Sequence, residues 1–354
     1  MANAAKNPTA VLPGAPVAEP AAEASDPGRM GFARRHLRFD ELGILLAAVM
    51  FFIIGALSNQ YFLTLDNLTG ILQSVTFLGF LSIGVGLALM AGEIDISVGS
   101  VYALSAIVTA LLLKNDYGLP LAIAGGLGVG LACGLVNGVV AQVINVSAVV
   151  VTLATLGVYR ALTLVIAGGS PVTGMPDTPE FFDVFGQGGI GGVSFITVLF
   201  VIVAVVAEIV LRKTAFGFRL LAVGSNPVAA RLVGFHVERM RIVLLALSGL
   251  LAALSGVCSV AYLHTAGPTA GAGYELTVLA AAIIGGVQLT GGRGSIVGVM
   301  LGLCVIGIIQ NLIVLWGISP NWTQGVSGIV LIAAVTVTWL TRRDQTKGNP
   351  IIRA

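Results

Sequence analysis

Few residues in this chain are able to do chemistry, since 56% of it is hydrophobic and only 10% is charged. Those few gather in three short stretches. The first is Gly92-Glu93-Ile94-Asp95-Ile96-Ser97-Val98-Gly99-Ser100, two carboxylates and two hydroxyls between apolar runs. A carboxylate at membrane depth costs about 2.5–3.5 kcal/mol on insertion scales, so it persists only where partners or water meet it. Two readings are open: Glu93, Asp95, Ser97 and Ser100 line or gate a polar passage, or the stretch is a cytoplasmic turn in which Asp95 or Ser97 caps the next helix.

The second stretch lies in the basic loop from Arg212 to Arg241 and runs Gly224-Ser225-Asn226-Pro227-Val228-Ala229-Ala230-Arg231-Leu232-Val233-Gly234. Asn226 as N-cap, Pro227 at the first helical position and Gly234 just past the end delimit about two helical turns. So short a helix is marginal alone in water. Presented on a loop with Ala229, Ala230, Leu232 and Val233 exposed, it is shaped to dock into a groove on a cytoplasmic partner; an amphipathic helix lying on the membrane surface is the alternative.

The third stretch holds Tyr274-Glu275-Leu276, then Ile284-Gly285-Gly286, then Gly291-Gly292-Arg293-Gly294-Ser295. Irregular, Gly-rich backbone is tolerated at membrane depth only where it is buried in protein or lines a cavity. Gly286–Ser295 faintly echoes Gly92–Ser100, and paired Gly-interrupted segments point to a transport pathway. The amides Asn137, Gln142, Asn145, Gln310 and Asn311 lie in or beside apolar runs. They suit hydrogen bonding to a neutral solute, although each taken alone fits helix packing at least as well.

Other chemistries find no residues. Cys133, Cys258 and Cys304 sit singly in apolar runs with no metal-ligand spacing. No Gly-x-x-x-x-Gly-Lys-[Ser/Thr] occurs, so any ATP must be handled by another chain. The net charge of +2 argues against a nucleic-acid partner. No catalytic residue, cofactor or metal is expected.

The elements that must position these residues are membrane helices. A mean hydropathy of +0.99 leaves too little polar surface to coat a soluble globule, so the expected fold is an all-α polytopic membrane protein. Runs of spanning length occur near 41–60, 69–91, 97–113, 119–143, 147–167, 194–211, 241–262, 275–289, 294–316 and 324–341, about ten spans. The eighth is short and Gly-interrupted, so broken or re-entrant helices are expected there or at 92–100. Arg29, Arg34, Arg35, Arg38, Arg212, Lys213, Arg219, Arg231, Arg239, Arg241, Arg293, Arg342 and Arg343 then fall on the cytoplasmic side. The segment bearing Asp177, Glu180 and Asp183 falls outside, and only Lys114 dissents. Both termini are expected in the cytoplasm, with an Ala- and Pro-rich disordered tail over 1–40, the permease domain over 41–341 and a short tail over 342–354. Gly126, Gly130, Gly134 and Gly138, like Gly294, Gly298 and Gly302, recur every four residues and mark close helix contacts, within one chain or between two.

Read together and in this order, the 92–100, 224–234 and 274–295 stretches resemble the ribose-type sugar ABC transporter permeases, over roughly residues 43 to 340. Glu93 stands where that family more often has Gly. The resemblance implies a multi-pass bacterial inner-membrane permease that imports a neutral monosaccharide or polyol. It implies partnership with a second permease copy, with cytoplasmic ABC ATPase subunits and with an external, periplasmic sugar-binding protein. Asn226, Pro227, Ala229, Ala230, Arg231, Leu232 and Gly234 would form the ATPase-coupling loop. Glu93, Asp95, Ser97, Ser100, Asn137, Glu275, Gly285 and Gly286 are the candidates for the pathway or gate. The rival expectation is a proton- or sodium-coupled secondary transporter, for which Glu93, Asp95, Arg160 and Glu208 would be the ionisable groups; Glu208 and Arg212, four apart, read as a local pair.

Overall fold

Each apolar run becomes a helix because a backbone surrounded by lipid must satisfy its own hydrogen bonds, and the α-helix does so within one segment. The computed structural model describes residues 30–175, 180–190 and 192–347, with side chains described over most of 41–336. The helices are α1 (Met30–Ser58), α2 (Leu65–Met90), α3 (Val98–Lys114), α4 (Leu119–Val143), α5 (Ala148–Ile166), α6 (Glu180–Gln187), α7 (Phe195–Lys213), α8 (Ala215–Ser225), α9 (Pro227–Leu232), α10 (Val237–Leu263), α11 (Tyr274–Ile284), α12 (Ile296–Leu315) and α13 (Trp322–Lys347). A hairpin of β1 (Gly189–Ile190) and β2 (Val193–Ser194) pairs Gly189 with Ser194 ahead of α7.

All ten expected runs coincide with helices, and among the described residues seven of these are long and apolar enough to cross a membrane on their own: α1 from Glu41, α2, α4, α5, α7, α10 and α12. At about 1.5 Å per residue, the 17 residues of α3 reach roughly 25 Å, and the 11 residues of α11 only about 16 Å. The latter is about half the hydrocarbon thickness. The eighth run therefore ends at Ile284, well before the expected residue 289, because Gly285 and Gly286 break the helix, Gly286 with φ +83°.

Most of the 1–40 tail and residues 348–354 lie outside the described residues, and α13 carries helical backbone past 341 to Lys347. The side chains of Asp177, Glu180 and Asp183 are likewise outside the described set. Three elements were absent from the sequence reading: α6, the hairpin, and α8 within the basic loop.

α2, α10 and α12 are mostly buried and form the centre, with α10 packing most extensively on α4, α2 and α3. The outer helices turn apolar faces outward. On α7, Val198, Val201, Ile202, Val205 and Ile209 are all exposed at helical spacing. That is the stripe a lipid-facing helix needs and the reverse of a soluble one.

The glycine stripe of α4 packs within the chain, against α10. A Cβ added at Gly130 would sit 2.5 Å from the Gly249 carbonyl oxygen; at Gly134, 2.8 Å from Ala246 Cα; at Gly138, 2.8 Å from Ile242 Cα. Gly298 and Gly302 of α12 likewise face the end of α11, where a Cβ on Gly302 would lie 2.8 Å from Gly285 N. These neighbours are backbone, which cannot rotate away. Gly134→Val is therefore expected to force the two helices apart at an overpacking cost of about 1–3 kcal/mol or more. The check is thermal unfolding of the detergent-purified protein; Gly128→Ala, which has open space, should melt like the parent.

Candidate functional site

The connection between α2 and α3 folds inward and buries its carboxylates. Asp95 is only 2% exposed. Its Oδ1 accepts from Ser97 N at 2.9 Å and Ser97 Oγ at 2.7 Å, and its Oδ2 accepts from Ser248 Oγ on α10 at 2.8 Å. Ser97 Oγ in turn accepts from Asn137 Nδ2 on α4 at 2.8 Å, and the Tyr159 hydroxyl on α5 reaches Asn137 Oδ1 at 3.1 Å. Thr152 on α5 closes the other side, its Oγ1 accepting from Ile96 N at 3.2 Å and donating to the Ile94 carbonyl at 3.1 Å. One buried network thus ties the α2–α3 connection to α4, α5 and α10, and every interior polar group in it has a partner.

The solvated-turn reading of this stretch does not describe the result. Ser97 occupies the N-cap position of α3 but makes no side-chain cap bond; its hydroxyl is committed to Asp95. Asp95 turns toward the helix bundle, where neutral donors replace water.

Glu93, also buried at 5% exposure, forms an ion pair with Arg241 at 2.8 Å. Burial pushes its carboxyl above the ordinary glutamate range, and the Arg241 guanidinium opposes that rise. The extra carboxylate at a position where a glycine was expected is thus matched by a cation one turn into α10. Removing one partner of a buried pair typically costs about 3–5 kcal/mol, most of it for the charge left behind. Arg241→Met should accordingly lower the melting temperature and membrane yield. Glu93→Gly combined with Arg241→Met should recover most of the loss, readable as a double-mutant cycle in thermal unfolding.

Ser100 and Glu275 belong to a second cluster. Ser100 Oγ donates to the Leu156 carbonyl at 2.9 Å. Glu275, in the first turn of α11, accepts from Gly273 N at 3.2 Å, and a Cβ on Gly99 would lie 2.6 Å from its Oε2. Arg160 of α5 donates to the Pro268 and Ala270 carbonyls at 2.9 and 2.8 Å, with Glu275 as its electrostatic counterpart. Gly285 and Gly286 stand apart from both clusters: Gly285 packs on Gly298 of α12, and Gly286 ends α11. The remaining amides divide similarly. Gln310 donates to Ser327 Oγ at 3.1 Å and Asn311 pairs with Asn67 at 2.7 Å, both as helix-to-helix bonds. Asn145 is an exposed turn residue with φ +55°.

The capped helix α9 forms as its residues require. Asn226 Oδ1 accepts from Val228 N and Ala229 N at 3.1 and 3.0 Å, and Gly234 adopts φ +86° just beyond the end. One residue differs from expectation. Ala230 is 3% exposed and packs with Val223 and Val237, so it seats α9 on α8 and α10. The outward face carries Val228, Ala229, Arg231, Leu232 and Val233, with Leu232 85% exposed. Arg231 is held by Glu238, Nε to Oε1 at 3.0 Å.

The three stretches meet behind α9. Gly292 N donates to the Met90 carbonyl at 2.7 Å, at the point where α2 gives way to the buried connection. A Cβ on Gly224 would fall 2.6 Å from Gly292 N, and one on Gly291 2.8 Å from Gly92 N. The end of α8, the end of α2 and the α11–α12 connection are therefore in backbone contact, which only glycines permit here.

Sequence reasoning did not identify Arg241, Ser248, Thr152 or Tyr159 as site residues. Arg241 read as one more loop cation because α10 starts at Val237 behind a His236 that makes no side-chain cap bond. The others are single polar residues in apolar runs, with no local signal. Glu208 was read as a local partner of Arg212. It does pair with it, but its Oε2 also accepts from Ile296 N at 2.8 Å, and Arg212 reaches Glu41 at 3.0 Å. The pair therefore clamps α1, α7 and α12 together.

Residues 67–335 match the family described as the branched-chain amino acid transport system / permease component. The ribose import permease protein RbsC of Escherichia coli K12 is 36% identical over 311 residues, covering 88% of this chain and 96% of the relative. The autoinducer 2 import system permease protein LsrC of Escherichia coli O9:H4 is 34% identical over 301 residues, 83% of this chain and 85% of the relative. The L-arabinose ABC transporter permease protein AraH of Azospirillum brasilense is 36% identical over 309 residues, 87% and 90% of the two chains. With the matched span containing the buried network, the capped helix and the glycine junction, the chain belongs to the branched-chain amino acid transport system / permease component family and is an integral-membrane transport permease.

Proposed function

We propose that the chain is the membrane-spanning permease of an ATP-driven bacterial inner-membrane importer for a neutral monosaccharide or related polyol. The observation that carries this reading is the seating of α9, an exposed apolar face on a helix too short to stand alone, fixed by Ala230 to two helices and by Gly224 to the Met90–Gly292 junction. ATPase subunits dock on Val228, Leu232 and Val233. Their movement reaches the α2–α3 connection through α8 and Gly292, and the network centred on Asp95, Ser97 and Asn137 gates the passage. Glu275, beside Gly99 and Arg160, belongs to the same pathway.

The relatives named for ribose, arabinose and autoinducer 2 support a polyhydroxylated substrate, as do clusters rich in hydroxyls and amides whose charges are already matched. In this reading the chain makes ten crossings, with α3, α13 and the half-length α11 extended by the irregular backbone beside it completing the set, and both termini lie in the cytoplasm. It works as a pair of permease copies, and an external binding protein delivers the sugar. Purification in mild detergent from the native host should bring down an ATP-hydrolysing subunit in defined stoichiometry. Recovery of a permease that transports without any such subunit would overturn the reading.

A further inference from the structure

A polar cavity lies at the opposite ends of the helices from α9, and none of the functions above uses it. It encloses about 420 Å³, within the range of roughly 300–1,000 Å³ typical of small-molecule clefts. The first turns of α2, the β1–β2 hairpin, the start of α7 and the end of α10 form its walls. Asp66, Gln73, Gln187, Ser194, Thr197 and Tyr262 supply its chemistry. Asp66 is the only ionisable carboxylate or cation among the lining residues; the others offer amides, hydroxyls and one aromatic ring.

Its floor is a hydroxyl ladder that closes the way down. Ser194 Oγ donates to Gln73 Oε1 at 3.0 Å and lies 3.0 Å from Thr197 Oγ1, which is 3.0 Å from Thr76 Oγ1. Below it the Phe80 and Phe200 rings pack edge to face with centroids 5.5 Å apart. Holding its oxygen toward Ser194 leaves the other end of the Gln73 amide unused. Nε2 is shielded from solvent and has no hydrogen-bond partner among the described residues. A buried donor left empty costs about 1–3 kcal/mol, and a small turn of the Gln73 side chain toward the cavity would let an acceptor there recover that loss.

We infer that this cavity is an external reception site for a neutral polyhydroxylated molecule, one hydroxyl of which accepts from Gln73 Nε2. The inference rests on the importer reading and adds to it the place where the sugar first meets the permease. Hydroxyls that both donate and accept match Gln187 and Asp66, which line the cavity with Tyr262. A zwitterionic amino acid would bring a carboxylate for which the lining has no cation.

The test is ligand protection of a cysteine at the rim. Val193, partly exposed at the hairpin, is replaced in a Cys304→Ala background, Cys133 and Cys258 being buried. The full-length V193C permease is placed in nanodiscs and its labelling by a hydrophilic maleimide is followed with millimolar D-ribose, L-arabinose or L-leucine. Either sugar should slow labelling several-fold, leucine should not, and Gln73→Leu should abolish the protection. If Gln73→Leu does not insert, Gln187→Ala at the exposed rim serves, with weakened protection expected. Labelling indifferent to both sugars, equal slowing by leucine, or protection that survives these variants overturns the inference. The readout needs no ATPase, so it fails or succeeds independently of co-purification.

Discussion

Leu232→Glu is expected to leave the permease folded in the membrane and to strip it of its ATPase. Leu232 is 85% exposed and Val228 63%, so a charge at either position meets only water in the isolated chain, and surface substitutions of this kind stay within about 0.5 kcal/mol. In the assembled importer the same charge would be pressed into an apolar groove. Central contacts of that kind typically carry 2 kcal/mol or more, about thirtyfold in affinity. The expected result is normal yield and melting temperature with loss of the co-purifying ATPase and of uptake. Ala230→Glu should behave differently, losing yield as well, because Ala230 is buried against Val223 and Val237. Equal ATPase recovery from Leu232→Glu and the parent would remove α9 from the docking role.

The second large effect is at Asp95. Asp95→Ala deprives three donors of their acceptor at once, Ser97 N, Ser97 Oγ and Ser248 Oγ. At about 1–3 kcal/mol for each buried group left unpaired, the loss is comparable with the whole stability of many domains. The variant should show low yield, early melting and no uptake. Asp95→Asn keeps an oxygen for Ser97 and a polar partner for Ser248, and should melt close to the parent while retaining ATP-driven uptake. A carrier that moved protons through Asp95 would lose transport in the Asn variant while keeping its fold, and that pairing of results would contradict the network role.

Much of this arrangement can be read from the sequence because it depends on local chemistry. Apolar runs of spanning length are helices in lipid whatever they pack against, and Asn226-Pro227 with Gly234 delimits α9 through contacts within eight residues. The burial of Ala230 could not be read in the same way, since the six-residue helix has no apolar side until α8 and α10 are in place. Arg241 illustrates the same limit. Its role depends on Glu93, nearly 150 residues earlier, and a cation near a span start looks the same whether it faces water or a buried carboxylate.

The glycines were legible as close contacts without a partner. Which helix they admit became clear only with α4 lying against α10, and the junction of Gly224, Gly291 and Gly292 with Met90 joins three loops that share no pattern. Of the two readings open for the first turn of α3, the capping one fails for a physical reason as well: N-cap chemistry is the usual fate of an Asp or Ser before a helix, but here both side chains are drawn to each other, Asn137 and Ser248.

The central claim is that this chain moves a sugar inward at the expense of ATP hydrolysed by another subunit. Proteoliposomes holding the permease with its co-purified ATPase, supplied with the external binding protein and radiolabelled sugar, test it most directly. Uptake should require ATP on the ATPase side and persist when an ionophore collapses the proton and sodium gradients. Uptake that proceeds without ATP and vanishes with the ionophore would contradict it.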